Sequence, residues 1–160
     1  MSFDDNVHFI KQLAQQLPHR YQLAVLYRPN TEAAATDLAA FGITVRPFHD
    51  GLKFVFDNVS LLMSAKLIIC DNYYAFLGGL VQSKRTKIVQ IWHADGAIKK
   101  FGWEDPTTES RSRSDKRRFQ QVYDHFDEYI VGSKAMGNVF VNSYHENFDR
   151  IKLLGYPRSD

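Results

Sequence analysis

The sequence predicts an α/β fold, in which a mainly parallel sheet is covered by helices on both faces. Short apolar runs such as residues 67–70 and 88–92 have the length of buried strands. Stretches with apolar residues at three- and four-residue spacing alternate with these runs, which is typical of parallel sheets built through helical crossovers. A chain of 160 residues is long enough for one domain with its own hydrophobic core.

The first part of the chain is predicted to hold three helices and two strands. Apolar residues at helical spacing precede Pro18, which ends the first helix. Thr31 is the predicted N-cap of the second helix and Gly42 its C-cap. The predicted elements, in order, are a helix over 3–17, a strand over 23–27, a helix over 32–41, a strand over 43–45 and a helix over 52–63.

The remainder is predicted to hold four strands, over 67–70, 88–92, 129–131 and 151–154. A helix presents Phe119, Val122 and Phe126 on one face, and Ser133 is placed to cap the helix that follows the next strand. The longest irregular segment covers residues 95–114. A long irregular segment in a compact domain is usually functional or mobile.

Composition excludes several classes of protein. The single cysteine, Cys70, lies in an apolar run, which excludes an internal disulfide and a cysteine-based zinc site and predicts a buried side chain. The net charge of +2 is too small to indicate nucleic acid binding. No apolar stretch approaches the roughly 18 residues of a membrane span, and the acidic N-terminus does not resemble a signal peptide. We therefore expect a cytoplasmic protein with no nucleic acid partner, with peripheral membrane contact still open.

The nucleotide-binding and catalytic motifs of several large enzyme classes are absent. The sequence contains no Gly-x-Gly-x-x-Gly after a strand, no Walker A loop and no Gly-x-Ser-x-Gly elbow. Its six histidines are scattered without metal-ligand spacing. These absences weigh against a dehydrogenase, an NTPase, an α/β-hydrolase and a metalloenzyme, and we predict neither a metal nor a cofactor.

Polar side chains follow two predicted strands where a ligand would bind, since open α/β sheets bind ligands beyond the carboxyl ends of their strands. His93 is the candidate general base, because a neutral imidazole accepts a proton near physiological pH. The alternative is a histidine that only caps its strand through hydrogen bonds. The neighbouring candidates for substrate binding are Asp71 and Asn72 after the third strand, and Asp95, Gly96, Lys99 and Lys100 after the fourth.

A basic cluster precedes the apolar face of the fourth predicted helix. Two interpretations remain open: a solvated first part of a helix, or a surface that attracts anionic lipid or another polyanion. The cluster consists of Arg111, Arg113, Lys116, Arg117 and Arg118.

Residues 91–102, which begin Ile91-Trp92-His93, resemble the Trp-His-Gly-Thr-x-x-Lys-x-x-Gly signature of the CDP-glycerol glycerophosphotransferase family, enzymes of wall teichoic acid synthesis in Gram-positive bacteria. Residues 155–160 resemble that family's Gly-x-Pro-Arg-Asn-Asp motif, and residues 3–6, 69–72 and 126–133 also stand in the family's order. The chain departs from the pattern at Ala94-Asp95, where the family has Gly-Thr, and at Ser159, where it has Asn.

This resemblance implies the N-terminal, acceptor-side half of a GT-B type transferase. Residues 1–154 would form a Rossmann-like domain and residues 155–160 the start of an inter-domain linker, with most of the CDP-glycerol site on a C-terminal domain. His93 would deprotonate a hydroxyl of a prenyl-diphosphate-linked acceptor, which attacks the β-phosphate and releases CMP. Lys99 and Lys100 would neutralise charge, Asp95 would orient the base or the acceptor, and Arg158 would bind substrate.

Under the same resemblance, the basic cluster would hold the protein against the anionic inner face of the cell membrane. Transfer of glycerol or ribitol phosphate, and priming or polymerisation, are all compatible with the motifs. Two other functions also remain open. One is a nucleotide-sugar glycosyltransferase of GT-B architecture, and the other is a non-catalytic module that binds the membrane or the acceptor.

Overall fold

The computed structural model describes residues 1–2, 4–49, 51–81, 83–94 and 100–157. They fall into two compact units, of which the first contains Met1–Ser64 and the second Ala65–Tyr156. All strand pairs are parallel, and helices connect most of them, so the predicted α/β class is confirmed. The strands pair as two sheets and not as one. The second strand ends at Pro47, which has no N–H to donate, and most of this strand is exposed, as suits an edge.

The first unit contains a two-stranded sheet and three helices. Strand β1 (Ala24–Tyr27) pairs with β2 (Thr44–Pro47), and the helices are α1 (Val7–Gln16), α2 (Glu32–Ala40) and α3 (Leu52–Ser64). A small core of Ile10, Val25, Leu38 and Ile43 joins α1 and α2 to the sheet. The apolar spacing that predicted α1 therefore marks the face that is buried.

The two predicted caps of α2 have different outcomes. Gly42 follows the helix with a φ of +90°, the left-handed conformation typical of a glycine at a helix C-terminus. The predicted side-chain cap by Thr31 is wrong. A 3-10 turn over Pro29–Thr31 precedes the helix, and there the Thr31 hydroxyl donates to the Arg28 carbonyl at 2.9 Å. It makes no capping bond to α2.

The second unit contains a four-stranded parallel sheet in chain order. Its strands are β3 (Leu67–Cys70), β4 (Lys87–Gln90), β5 (Glu128–Val131) and β6 (Ile151–Leu153). Helix α4 (Arg113–Asp124) precedes β5, and α5 (Lys134–Tyr144) precedes β6. Ser133 caps α5 as predicted, because its hydroxyl accepts the Met136 N–H at 3.1 Å. Strand β4 ends two residues earlier than the predicted residue 92.

Large aromatic side chains fill the core between the sheet and α4 and α5. Phe126, Tyr129, Phe140 and Tyr144 are each at most 2% exposed, and the rings of Tyr123 and Tyr144 stack with centroids 3.8 Å apart. Burial raises the pKa values of Tyr123, Tyr129 and Tyr144 well above the ordinary value for tyrosine. Their hydroxyls therefore ionise much less readily in the folded chain than in the unfolded chain.

The buried tyrosines predict a loss of stability at alkaline pH. Because their pKa values are raised in the folded state, only the unfolded chain loses these protons, and it does so above about pH 10. The free energy of unfolding should be insensitive to tyrosine ionisation below that pH. Above it, the loss should be about 1.4 kcal/mol per pH unit for each tyrosine. Urea unfolding between pH 8 and about pH 11 measures this slope.

Tyr129→Phe should reduce the slope by the contribution of one tyrosine, whereas Tyr21→Phe, at an exposed position, should leave it unchanged. Equal slopes in the parent and Tyr129→Phe would contradict the prediction.

Candidate functional site

The carboxyl ends of β3 and β4 lie side by side. Cys70 is opposite Gln90 in the parallel register, and the Ile91 N–H donates to the Cys70 carbonyl at 2.9 Å. The chain therefore leaves both strands at the same edge of the sheet, with Asp71 and Asn72 on one side and Trp92 and His93 on the other. The structure brings these predicted site residues together.

His93 is half-buried, and a backbone carbonyl fixes its ring. Its Nδ1 lies 3.2 Å from the Asp71 carbonyl oxygen. A carbonyl only accepts hydrogen bonds, so Nδ1 must carry the hydrogen in the neutral ring and Nε2 the lone pair. This tautomer suits a general base that acts through Nε2, as the sequence predicted for His93.

Trp92 carries His93 on a strained backbone. Its φ is +59°, in the left-handed region that bulky residues rarely adopt. The indole stacks on the Phe101 ring with centroids 4.8 Å apart and meets Phe140 edge-on at 5.4 Å, while the His93 ring lies 4.0 Å away on a tilted plane. Packing against α5 thus holds an unfavourable conformation that turns His93 out of the strand direction.

Asp71 and Asn72 make hydrogen bonds within the protein. The Asp71 carboxylate is buried and accepts the Tyr74 hydroxyl at 2.5 Å, and the Asn72 side-chain oxygen accepts the Tyr73 N–H at 2.8 Å. The Asp71 backbone orients His93, so this residue has a structural task besides any contact with substrate. Burial, with the Asp71 charge beside it, raises the pKa of the Cys70 thiol to about 12. Cys70 is therefore a protonated core residue, as expected, and not a nucleophile.

The other predicted substrate-binding residues are only partly covered by the structure. Lys100 is exposed where the described chain resumes after the gap that follows Ala94. Asp95, Gly96, Lys99 and Arg158 lie outside the described residues.

Gln90 is a member of this site that sequence reasoning missed. Its side chain is 1% exposed, its Nε2 donates to the Asn72 carbonyl at 3.1 Å, and its Oε1 accepts the Trp92 N–H at 2.8 Å. The signal in the sequence is a polar residue inside an apolar run, two residues before Trp92. A buried amide inside a strand needs hydrogen-bond partners, which the apolar pattern around it does not identify.

The predicted basic cluster lies in and just before the first half of α4. Arg113 and Arg117 are exposed, and Arg118 pairs with Asp115. Lys116 Nζ donates to the Glu109 carbonyl at 3.0 Å, and the Arg111 guanidinium lies over the Phe119 ring at 5.9 Å. Cations near a helix N-terminus oppose the helix dipole. Helix stability therefore does not explain why so many are placed here.

The described part of the chain contains neither a candidate membrane span nor a candidate cluster of metal ligands. None of its helices combines the length and the apolar character needed to cross a membrane. None of its His, Cys, Asp and Glu side chains gathers in a group of three or more that could hold a metal ion.

Gly102 packs closely against α5, near the point where the described chain resumes. Gly102 has a φ of +60°, and a Cβ built on it would lie 2.1 Å from the Ser143 carbonyl oxygen of α5. The next side chain, Trp103, donates from its indole to Gln120 Oε1 at 2.5 Å and stacks on His145 at 4.7 Å. The backbone at residue 102 therefore has room only for glycine.

Comparison with known proteins identifies several relatives. A sequence model described as CDP-Glycerol:Poly(glycerophosphate) glycerophosphotransferase matches residues 3–160. The teichoic acid glycerol-phosphate primase of Bacillus subtilis strain 168 is 34% identical over 160 residues, which are 100% of this chain and 42% of that protein. The Staphylococcus aureus teichoic acid glycerol-phosphate primase is 36% identical over 101 residues, 63% of this chain and 28% of that protein.

Solved structures support the fold. A variant of the wall teichoic acid polymerase TagF superposes with a TM-score of 0.64 at 13% identity, covering 93% of this chain and 34% of that one. A second variant gives a TM-score of 0.58 at 14% identity. The likeness is to a GT-B type enzyme, as the sequence predicted. The chain spans less than half the length of these relatives.

Replacement of Gly102 tests the packing behind the site. Gly102→Ala should lower the free energy of unfolding by about 3 kcal/mol, because a left-handed alanine costs about 1–2 kcal/mol and overpacking about 1–3 kcal/mol more. The matched control is Gly155→Ala, with a φ of +94° and nothing near the added Cβ, which should show only the backbone cost. Urea unfolding measures both variants, and equal losses would contradict the predicted clash.

Proposed function

The chain belongs to the CDP-glycerol:poly(glycerophosphate) glycerophosphotransferase family, and from this premise we propose that it forms the acceptor side of an enzyme that transfers glycerol phosphate from CDP-glycerol to a lipid-linked acceptor. The product would extend or begin a teichoic acid or a related polymer. The observation that carries the proposal is the His93 ring, held at the edge of the sheet with its lone pair on Nε2.

In the proposed reaction, His93 Nε2 takes the proton from a terminal hydroxyl of the acceptor. The hydroxyl oxygen attacks the β-phosphorus of CDP-glycerol, a new phosphodiester forms, and the bond to the bridging oxygen breaks so that CMP leaves. Phosphoryl transfer depends mainly on the position of the reactants and on neutralisation of charge. The structure supports the first requirement, because both the backbone and the ring packing fix the imidazole.

The remaining candidates divide between the acceptor and the donor. Lys100 is exposed and, with Lys99, would neutralise phosphate charge, while Asp95 and Gly96 would shape the loop around the acceptor. Asp71, Asn72 and Arg158 complete the proposed substrate-binding set. Residues 1–154 would serve as the acceptor domain and 155–160 as the start of a linker. The donor CDP-glycerol would bind mainly to the region of the longer family members that this chain does not match.

The exposed cations of α4 support a second part of the proposal, that the protein binds peripherally to the anionic inner face of the cell membrane. A prenyl-diphosphate acceptor lies in that membrane. Arg111, Arg113, Lys116, Arg117 and Arg118 would contact its headgroups, since each basic residue near an anionic surface adds about 1 kcal/mol of attraction.

Replacement of His93 tests the catalytic role. In the full-length gene product, His93→Ala should lower kcat for CMP release by roughly 10²–10⁴-fold, the usual contribution of a positioned base. CDP-glycerol and a prenyl-diphosphate-linked acceptor are the substrates, and UDP-sugars in place of CDP-glycerol distinguish a glycosyltransferase. His19→Ala, at an exposed histidine outside the site, is the control. Unchanged turnover in a folded His93→Ala protein would remove this residue from catalysis.

Charge removal on α4 tests the membrane contact. The double variant Arg113→Gln with Arg117→Gln should bind phosphatidylglycerol-containing vesicles roughly thirtyfold more weakly than the parent, at about 1 kcal/mol per charge. Co-sedimentation of the full-length gene product measures the change. Lys84→Gln with Arg85→Gln, at exposed positions before β4, removes the same charge elsewhere and should have little effect. Equal weakening by both pairs would show that only net charge matters.

A further inference from the structure

We infer that Gln90 is a positioning residue for His93, because its buried amide ties together the two segments that hold the imidazole. The link to catalysis rests on the proposed function, whereas the link to the geometry of His93 does not. Gln90 is the last residue of β4, and both of its side-chain hydrogen bonds are to backbone atoms beyond the strand ends.

The acceptor end of the amide acts on the segment that carries His93. Gln90 Oε1 receives the Trp92 N–H at 2.8 Å, at a residue whose φ of +59° has turned it out of the strand. The side chain thereby takes the place of a ladder partner and fixes the Ile91–Trp92 peptide, one residue before His93.

The donor end acts on the segment that His93 contacts. Gln90 Nε2 donates to the Asn72 carbonyl at 3.1 Å, and the preceding carbonyl, that of Asp71, is the partner of His93 Nδ1 at 3.2 Å. One side chain therefore sets the position of both the imidazole and the oxygen that selects its tautomer.

Space filling alone does not call for an amide at this position. The neighbouring β4 residues Ile88 and Val89 are buried apolar side chains in the same strand, and an apolar residue would satisfy a strand core. A buried amide is favoured where its donor and acceptor both have partners. Here those partners are the Asn72 carbonyl and the Trp92 N–H, in the two segments that hold His93.

The first variant, Gln90→Met, keeps the length of the side chain and removes both hydrogen bonds. In the full-length gene product, kcat should fall roughly 10–100-fold, the usual effect of removing a hydrogen-bond partner that orients a functional side chain. The KM for CDP-glycerol should stay within about twofold of the parent value. Gln121→Met, on the exposed side of α4, is the matched control and should leave both constants unchanged.

The second variant, Gln90→Glu, can gain or lose the hydrogen bond to the Asn72 carbonyl according to pH. An ionised carboxylate cannot donate to the Asn72 carbonyl, but a protonated carboxyl can both donate and accept, as the amide does. The kcat of this variant relative to the parent should therefore rise as pH falls. The titratable groups around the position are Cys70 and Tyr129 on the adjacent strands and Asp71 and His93 at the strand ends. The ratio removes only the pH dependence that both proteins share, and the ring tautomer of His93 reports whether the new carboxyl acts through the geometry.

The decisive measurement is nitrogen-15 NMR of the His93 ring in the chain itself. The parent should show the neutral tautomer with its hydrogen on Nδ1, and Gln90→Met should shift the population toward hydrogen on Nε2. The inference is overturned if Gln90→Met and Gln90→Glu both fold and keep the parent's His93 tautomer, and if the kcat of Gln90→Glu relative to the parent does not change with pH.

Failure of this inference and failure of the proposed function give different results. A parent protein that transfers no glycerol phosphate refutes the function, and the ring tautomer still decides the role of Gln90. If Gln90→Met does not fold, Gln90→Glu supplies the same two readouts at low and high pH. In Gln90→Glu, a tautomer that does not change with pH overturns the inference.

Discussion

Backbone polar groups that end a buried parallel sheet need hydrogen-bond partners, and this requirement organises the whole site. Beyond β3 and β4, side chains supply several of those partners. The Gln90 amide satisfies the Asn72 carbonyl and the Trp92 N–H, and the His93 ring satisfies the Asp71 carbonyl. The residue with the proposed chemistry is therefore also part of what closes the sheet edge. Capping a strand and acting as a base, which seemed to be alternatives, are compatible roles for the two nitrogens of one imidazole.

The strands of the second unit were the most predictable elements, because each of them is a short, largely apolar run. The residues of β3 were predicted without error, whereas β4 was predicted too long because Trp92 is apolar. Its left-handed backbone follows from packing on Phe101 and Phe140, which are distant in sequence. Polarity patterns report which side chains are buried, and they do not report a backbone conformation imposed by such contacts.

Only part of the site could be predicted, again because a sequence pattern does not report contacts made in the folded chain. His93 and Asp71 could be placed at one edge because the ends of parallel strands coincide, and the family signature then gave His93 a role. Gln90 was not found, since its importance lies in two partners, one of them across the sheet. The separation into two sheets was also not predicted. The alternation of strands and helices predicts that the strands are parallel. It does not predict which strands pair, because pairing also depends on features such as Pro47, which ends β2.

The position of each tryptophan beside a histidine ring has a spectroscopic consequence. Trp92 lies 4.0 Å from the His93 ring and Trp103 lies 4.7 Å from the His145 ring, and the chain has only these two indoles. A protonated imidazole quenches the emission of a tryptophan that it touches. The intrinsic fluorescence of the chain is therefore sensitive to the surroundings of these two histidines. A variant that retains only Trp92 would report on the surroundings of His93 alone.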